Sequence, residues 1–336
     1  MKYFYVMGLS CTILFICSCK NERNQAMTDF PKTMELEIQR TMDIDSILFR
    51  YPYMKIDGDY CCIADYETHE YFFHLFTFPE FKYLKSFGRK GHALSELIML
   101  TDFDFKNGVV SALCGADKAI KFYYALDSVQ TDVPIIHYNQ SLDFSAISDN
   151  GDGNIYTYAM GGQFRILMFD YQGNLLARYL PLPSVKEKDL EFNANYLYQS
   201  VIYSTPDYFV SATIAGERIE IMRRSTDSVQ VVLGKWGNPV LYKIGTMEMG
   251  SHILRYTTYM DLFVQNNIYG LFLGKDVDDK EFYESSIRMF SLNGRPLKKY
   301  MIPENVEPTS FYVDEKRNKI YLLVPDSEKP IWVCDM

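Results

Sequence analysis

The tetrapeptide Asp-Ser-Val-Gln occurs at Asp127–Gln130 and again at Asp227–Gln230, each time behind a run able to form a strand. A repeat at fixed spacing constrains a chain more than any local propensity does, because each unit must bury its apolar face against a neighbouring copy. The turn signals carry a related period. Apolar or alternating runs are interrupted at Gly58, Asn107-Gly108, Gly151, Pro206, Asn266 and Arg317, and a strand-like run enters and leaves each of them, as in a hairpin. A second series, at Pro79, Asp127, Gln172, Asp227 and Asn293, falls after each of the first five. Two hairpins per unit make four strands in about fifty residues, the content of a propeller blade. Six such units predict an all-β, six-bladed β-propeller. Stacked helix pairs are the competing repeat class, but these runs alternate and lack the i, i+3, i+4 spacing of helices. The high aromatic content, 27 Tyr and 23 Phe, suits pleated, half-buried surfaces. One stretch, "SVKEKDLEFNANYLY", with Ser184 and Glu187 spaced as a capping box, reads as a short helix between units three and four.

The sixth unit is incomplete. After the hairpin at Arg317 comes "PIWVCDM", a third strand, with no fourth behind it. The unassigned strand-like segment is "TMELEIQR", residues 33–40, and it is expected to supply the missing outer strand, so that the N-terminal strand closes the last blade and removes an open sheet edge. Met34, Leu36 and Ile38 would then face the blade, alternating with Glu35, Glu37 and Gln39. The propeller domain is accordingly residues 33–336.

Ahead of it, Lys2 and the mostly apolar run to Ser18 have the form of a signal peptide, too short to span a bilayer comfortably. The run ends Ile16-Cys17-Ser18-Cys19, which resembles the lipobox of bacterial lipoproteins. The resemblance implies a signal peptide of residues 1–18 and lipidation of Cys19, anchoring the chain to a membrane of the cell envelope. The expected membrane is the outer one, with the domain facing the periplasm or the surface. An ordinary secretory signal is the competing reading. Residues 19–32 are mostly polar, with Phe30 as their one aromatic residue, and read as a flexible tether. With 43 acidic against 34 basic residues, a net charge of -9 and no basic block, nucleic acid is excluded as an expected partner.

Lipobox, six blades and the segment "SFGRKGHALSELIMLTDF" (Ser86–Phe103) together resemble the TolB-like six-bladed β-propeller lipoproteins of gut Bacteroidota-type bacteria. That family carries a motif close to Gly-x-Gly-Pro-x-Glu-Phe after its first blade. Gly91, Glu96 and Leu97 match it in position or character, whereas Ala93 and Leu94 replace the second Gly and the Pro. The resemblance implies fold and address, since the family's function is unknown.

Candidate chemistry is sparse. His69, His74, His92, His137 and His252 are scattered and form no metal-binding spacing. The acidic loops at Asp149 and Lys275 lack the ligand pattern of an EF-hand, so no metal and no cofactor are expected. Cys61 and Cys62 sit on one strand and point to opposite faces; Cys334 could reach one of them across the blade six–blade one junction, but buried free thiols, Cys114 included, are the expectation. Arg89, Lys90 and His92, in the linker between blades one and two, are the local candidates for contacting an acidic ligand at the channel mouth, against the alternative of a solvated loop. Ser46, Ser128 and Ser228 lie in Asp-Ser-aliphatic tripeptides that resemble the O-glycosylation acceptor of such bacteria. The function expected is a membrane-tethered, non-enzymatic binding or scaffolding propeller for a protein or glycan partner. One alternative is a metal-dependent lactonase- or lyase-type enzyme, which would need Asp57, Asp102 and Asp104 on the innermost strands to converge. Another is a structural envelope protein.

Overall fold

The structure is a computed structural model and describes residues 23–44, 49–127, 133–138, 142–183, 194–239, 241–243, 252–279, 283–304, 306–325 and 327–336. The expected signal peptide, Cys19, Ser46, Ser128 and the capping box at Ser184 lie outside them.

Six antiparallel sheets follow one another along the chain. Blade one is built from Pro52–Asp57, Tyr60–Asp65, Tyr71–Thr77 and Tyr83–Arg89, and blade two from Asp102–Lys106, Val109–Cys114, Ala119–Tyr124 and Ile135–His137. Blade three comprises Phe144–Asp149, Asn154–Ala159, Phe164–Asp170 and Leu175–Pro181, and blade four Ser200–Ser204, Tyr208–Thr213, Arg218–Arg223 and Ser228–Leu233. Tyr256–Val264, Asn267–Asp276, Tyr283–Ser291 and Pro296–Met301 form blade five, and Ser310–Asp314, Lys319–Leu323 and Ile331–Asp335 the first three strands of blade six. A helical turn at Ala194–Leu197 precedes blade four, and a small ladder of Leu241–Lys243 with His252–Leu254 precedes blade five. Every turn read from the sequence separates two strands of one sheet. Asn107-Gly108 is a two-residue loop between Lys106 and Val109, with both residues at positive φ (51° and 73°), as a type I′ hairpin requires.

The first strand of each blade is innermost, and the six first strands touch one another in ring order, with blade six against blade one. The cores lie between blades. Phe73, Phe103 and Tyr123 fill the junction of blades one and two; Cys61, Phe76 and Tyr321 fill that of six and one. A blade is therefore covered on both faces, which is why second and third strands are apolar at successive positions. Tyr60–Asp65 shows the consequence: Cys61 joins one core and Cys62 the other. All four described cysteines are free and buried. Cys334 packs on the blade-five side of its strand while Ile331 and Val333 face blade one, so it is turned away from Cys61.

The N-terminal segment belts three blades. Ile38–Met42 pairs antiparallel with Ile331–Asp335, aligning Met42 with Ile331 and Ile38 with Cys334, and thus closes blade six. The closing strand is shorter and later than residues 33–40, because Thr33–Glu35 pairs instead with the outer strand of blade five, in parallel. Leu36, where the chain crosses between the two blades, is 4% exposed, whereas Ile38 is 41% exposed. The expected alternation of Met34, Leu36 and Ile38 over one blade is therefore not kept.

The expected flexible tether of residues 19–32 also needs correction over its described part, residues 23–32. Arg23–Ala26 lies parallel along the outer strand of blade four, from Arg23 opposite Gln230 to Ala26 opposite Leu233, and the Met27 N–H donates to Leu233 O at 2.7 Å. An outer strand offers an unpaired row of peptide groups. A polar segment can satisfy that row through its backbone alone, so polar composition did not exclude pairing.

Candidate binding site

Peptide N–H groups on the innermost strands and their turns have no sheet partner on their inner edge and need acceptors. Side chains of the preceding blade supply them. Asp57 Oδ2 accepts from Asn107 N–H at 2.6 Å, Asp102 Oδ2 from Ile147 at 2.8 Å and Asp104 Oδ2 from Asp149 at 2.8 Å. Ser148 Oγ accepts from Ser204 at 2.9 Å, Asp261 Oδ2 from Phe311 at 3.2 Å and Ser310 Oγ from Met54 at 2.8 Å. Blades four and five are joined differently, through the Thr258 hydroxyl donating to Thr213 O at 2.8 Å. Asp57, Asp102 and Asp104 are thus each engaged by the next blade and do not converge. Among the described residues no three metal-ligating side chains are grouped.

Two lysines enter the channel. Lys55 Nζ lies 3.0 Å from Asp261 Oδ1, and Lys106 Nζ donates to Tyr203 Oη at 3.0 Å. The space left around them is about 10 Å³, room for about one water. Burial pushes the Asp102 carboxyl up to about 6, against the pull of Lys55. Burial also disfavours the Lys55 cation, but Asp261, Asp104 and Asp102 outweigh it and hold the ammonium charged. Tyr66 Oη donates to Asp102 Oδ1 at 3.3 Å, and Tyr51, Tyr53 and Tyr66 cluster with Tyr53 and Tyr66 centroids 5.1 Å apart.

The linker carrying Arg89, Lys90 and His92 is exposed but internally tied. Lys90 Nζ donates to Thr68 O at 2.9 Å, Arg89 faces Glu96 at 4.0 Å, and the Lys121 ammonium from blade two donates to Glu96 O at 2.6 Å. Arg89 borders a cavity of about 260 Å³ among outer strands of blades one and two, with Tyr71, Lys85 and Tyr123; no residue of an innermost strand lines it. Ser228 opens the outer strand of blade four, exposed, with its hydroxyl 2.7 Å from that of Thr226.

A larger cavity, about 430 Å³, lies between blades four and five at their outer rim, within the range of about 300–1,000 Å³ typical of small-molecule sites. Its wall is partly the N-terminal belt, Met27–Phe30 and Thr33. Blade four and its following linker contribute Glu217, Lys235 and Trp236, and blade five contributes Phe272, Glu284, Arg288 and Lys299. Arg288 organises the floor. Its guanidinium pairs with Glu217 and with Glu284 at 2.9 Å, while lying 3.2 Å from the Phe272 ring centroid. Lys299 Nζ reaches the second oxygen of Glu284 at 3.3 Å. Burial alone would raise the Glu284 carboxyl, but Arg288 and Lys299 overcome it and hold it below the usual range.

The linker "GKWG" is shaped by Glu217. A Cβ at Gly234 would fall 1.9 Å from the Glu217 carboxyl carbon, so a larger residue there would have to displace the carboxylate, and Glu217 Oε2 accepts the Trp236 N–H at 3.3 Å. Trp236 then stacks on Tyr256, centroids 4.7 Å apart and planes within 6°. Phe30 packs edge-on against Phe290 at 5.3 Å. Sequence reading missed this cleft because its charges come from separate blades; the available signals were Phe30, the one aromatic residue of a mostly polar segment, and a tryptophan framed by glycines after an outer strand.

The fold defines a six-bladed propeller closed by its own N-terminal strand. The chain belongs to the TolB-like 6-blade propeller-like family, which matches residues 29–316. Among solved structures, a Bacteroides fragilis protein assigned as exported is similar with a TM-score of 0.57 at 13% identity, covering 93% of this chain and 97% of that one. The WD40 repeats of RRP9 give a TM-score of 0.52 at 8% identity, covering 90% and 99%. The Cps50 (Swd1) propeller domain of Myceliophteria thermophila gives 0.50 at 9% identity, also covering 90% and 99%. At such identities the likeness is one of fold. No curated protein sequence matches the chain.

Proposed function

We propose that this chain is an exported lipoprotein, anchored through Cys19 to the outer membrane, whose propeller is a non-enzymatic binding module for a glycan. The address is supported by the lipobox at Ile16–Cys19 and by the exported assignment of the Bacteroides fragilis protein of the same fold. The observation that carries the binding role is the blade four–blade five cleft. It sets Asp29, Glu217 and Glu284 against Lys235, Arg288 and Lys299, so its formal charge balances and favours neither anion nor cation. The rings of Phe30 and Trp236 border these groups, over a floor where Arg288 covers the buried Phe272. A sugar offers the matching pattern, apolar C–H faces bordered by hydroxyls that donate to carboxylates and accept from ammonium groups. An apolar peptide side chain would desolvate the ionic groups without replacing their hydrogen bonds.

The test is an array of envelope and dietary glycans probed with the purified domain and with Phe30→Ala. A defined glycan retained by the native protein and lost by an equally stable Phe30→Ala variant supports the reading. Retention unchanged by the substitution moves the site elsewhere, and selective capture of peptides in place of glycans replaces the glycan with a protein partner.

A further inference from the structure

We infer that the propeller does not hang freely from its anchor but is held with the hairpin-turn rim of blade four against the lipid surface, and the cleft directed away from it. The inference rests on the lipidation of Cys19 proposed above and on where the described chain begins. Arg23 is already in register with Gln230 of blade four, so only residues 20–22 separate it from Cys19. Four residue steps span at most about 14 Å even when fully extended.

The polarity of the pairing fixes which rim is near. The outer strand Ser228–Leu233 starts at the turn after Arg223 and ends at the linker containing Trp236. Arg23–Ala26 runs parallel to it, so the anchored end lies toward the turn and the chain then climbs toward the linker. The turn rim carries exposed Pro206, Asp207, Arg223 and Ser225. Glu217, Lys235 and Trp236 of the cleft sit at the opposite, linker end of the same blade. Blade one lies three blades round the ring from blade four, and Leu94 in its linker is 80% exposed, on the far side from the proposed contact.

The partner surface is a bilayer, and the orientation can be measured on the intact lipoprotein. Because the native thiols of the domain are buried, Ser225→Cys and Leu94→Cys each provide one accessible labelling site. The lipoprotein, purified with its anchor, is labelled with a fluorophore and reconstituted in phosphatidylethanolamine–phosphatidylglycerol vesicles containing nitroxide-headgroup lipid. Strong quenching at position 225 with none at 94 is expected, and twenty Gly-Ser residues inserted after Lys20 should remove the contrast. Equal quenching at the two positions on a protein whose N-terminal mass shows acylation overturns the orientation and leaves the anchor standing. An unmodified Cys19 overturns both. Contrast that persists with the long linker overturns the short tether as its cause.

Discussion

Asp104 of blade two accepts the Asp149 N–H of blade three at 2.8 Å and the Ser148 hydroxyl at 3.2 Å. One carboxylate thereby satisfies two groups of the next blade. Asp104→Ala leaves both without this acceptor in a buried setting and should destabilise the domain by about 1–3 kcal/mol. Asp104→Asn keeps an acceptor oxygen and should lose less. Urea melts of the two variants check the order, and equal losses would mean that the bond to Asp149 carries little.

Asp102 gives a pH prediction. Its folded-state carboxyl is pushed from 3.8 to about 6, so between those values the native state binds more protons than the unfolded chain. Stability then falls as pH rises through this window and levels off above it. Asp261 and Asp149 are shifted in the same direction by burial, so the Asp102 contribution is read as a difference. Asp102→Asn should gain stability relative to the native protein between about pH 4 and 6. A constant difference across that range would show that Asp102 titrates normally.

The belt yields a paired comparison. Leu36 is 4% exposed and Ile38 41%, although the two are equivalent in an alternating pattern. Leu36→Ala should cost about 2–4 kcal/mol and Ile38→Ala less than about 1 kcal/mol. Thermal or denaturant unfolding decides, and equal losses would restore a single strand over one blade.

These residues also show what the sequence made legible. Hairpins were readable because Asn107-Gly108, Gly151 and Pro206 interrupt alternating runs, and a turn is a local event. The need for a closing strand was readable because the run ending at Cys334 lacked a partner. Its register was not, because Thr33–Glu35 and Ile38–Met42 take different blades, a choice made by edge geometry and not by side-chain pattern. The cleft was the least legible. Glu217 and Arg288 are separated by the second hairpin of blade four, the small ladder after it and the first hairpin of blade five, and nothing near either residue announces the other. The acidic residues of "DFDF" were visible, but their engagement by the N–H groups of Ile147 and Asp149 depends on how neighbouring blades dock.

Thiol chemistry tests the packing between blades. Cys61, Cys62, Cys114 and Cys334 are free and buried, and burial pushes the Cys114 and Cys334 thiols up to about 12. A domain lacking the N-terminal 19 residues should show no rapid reaction with a thiol reagent when native. All four thiols should react in denaturant without reductant. Two thiols that appear only after reduction would reveal a disulfide.

The central claim is that the blade four–blade five cleft binds a ligand, and Trp236 reports on it directly. The chain has 2 tryptophans, and the other, Trp332, lies on blade six with its indole N–H donating to Ser327 Oγ at 3.2 Å. In a Trp332→Phe background, titration with the glycan retained on the array should shift the Trp236 emission saturably, and Phe30→Ala should weaken the apparent affinity at least tenfold. A glycan that binds with an unchanged Trp236 spectrum and with the same affinity in the Phe30→Ala variant would contradict the assignment of the cleft.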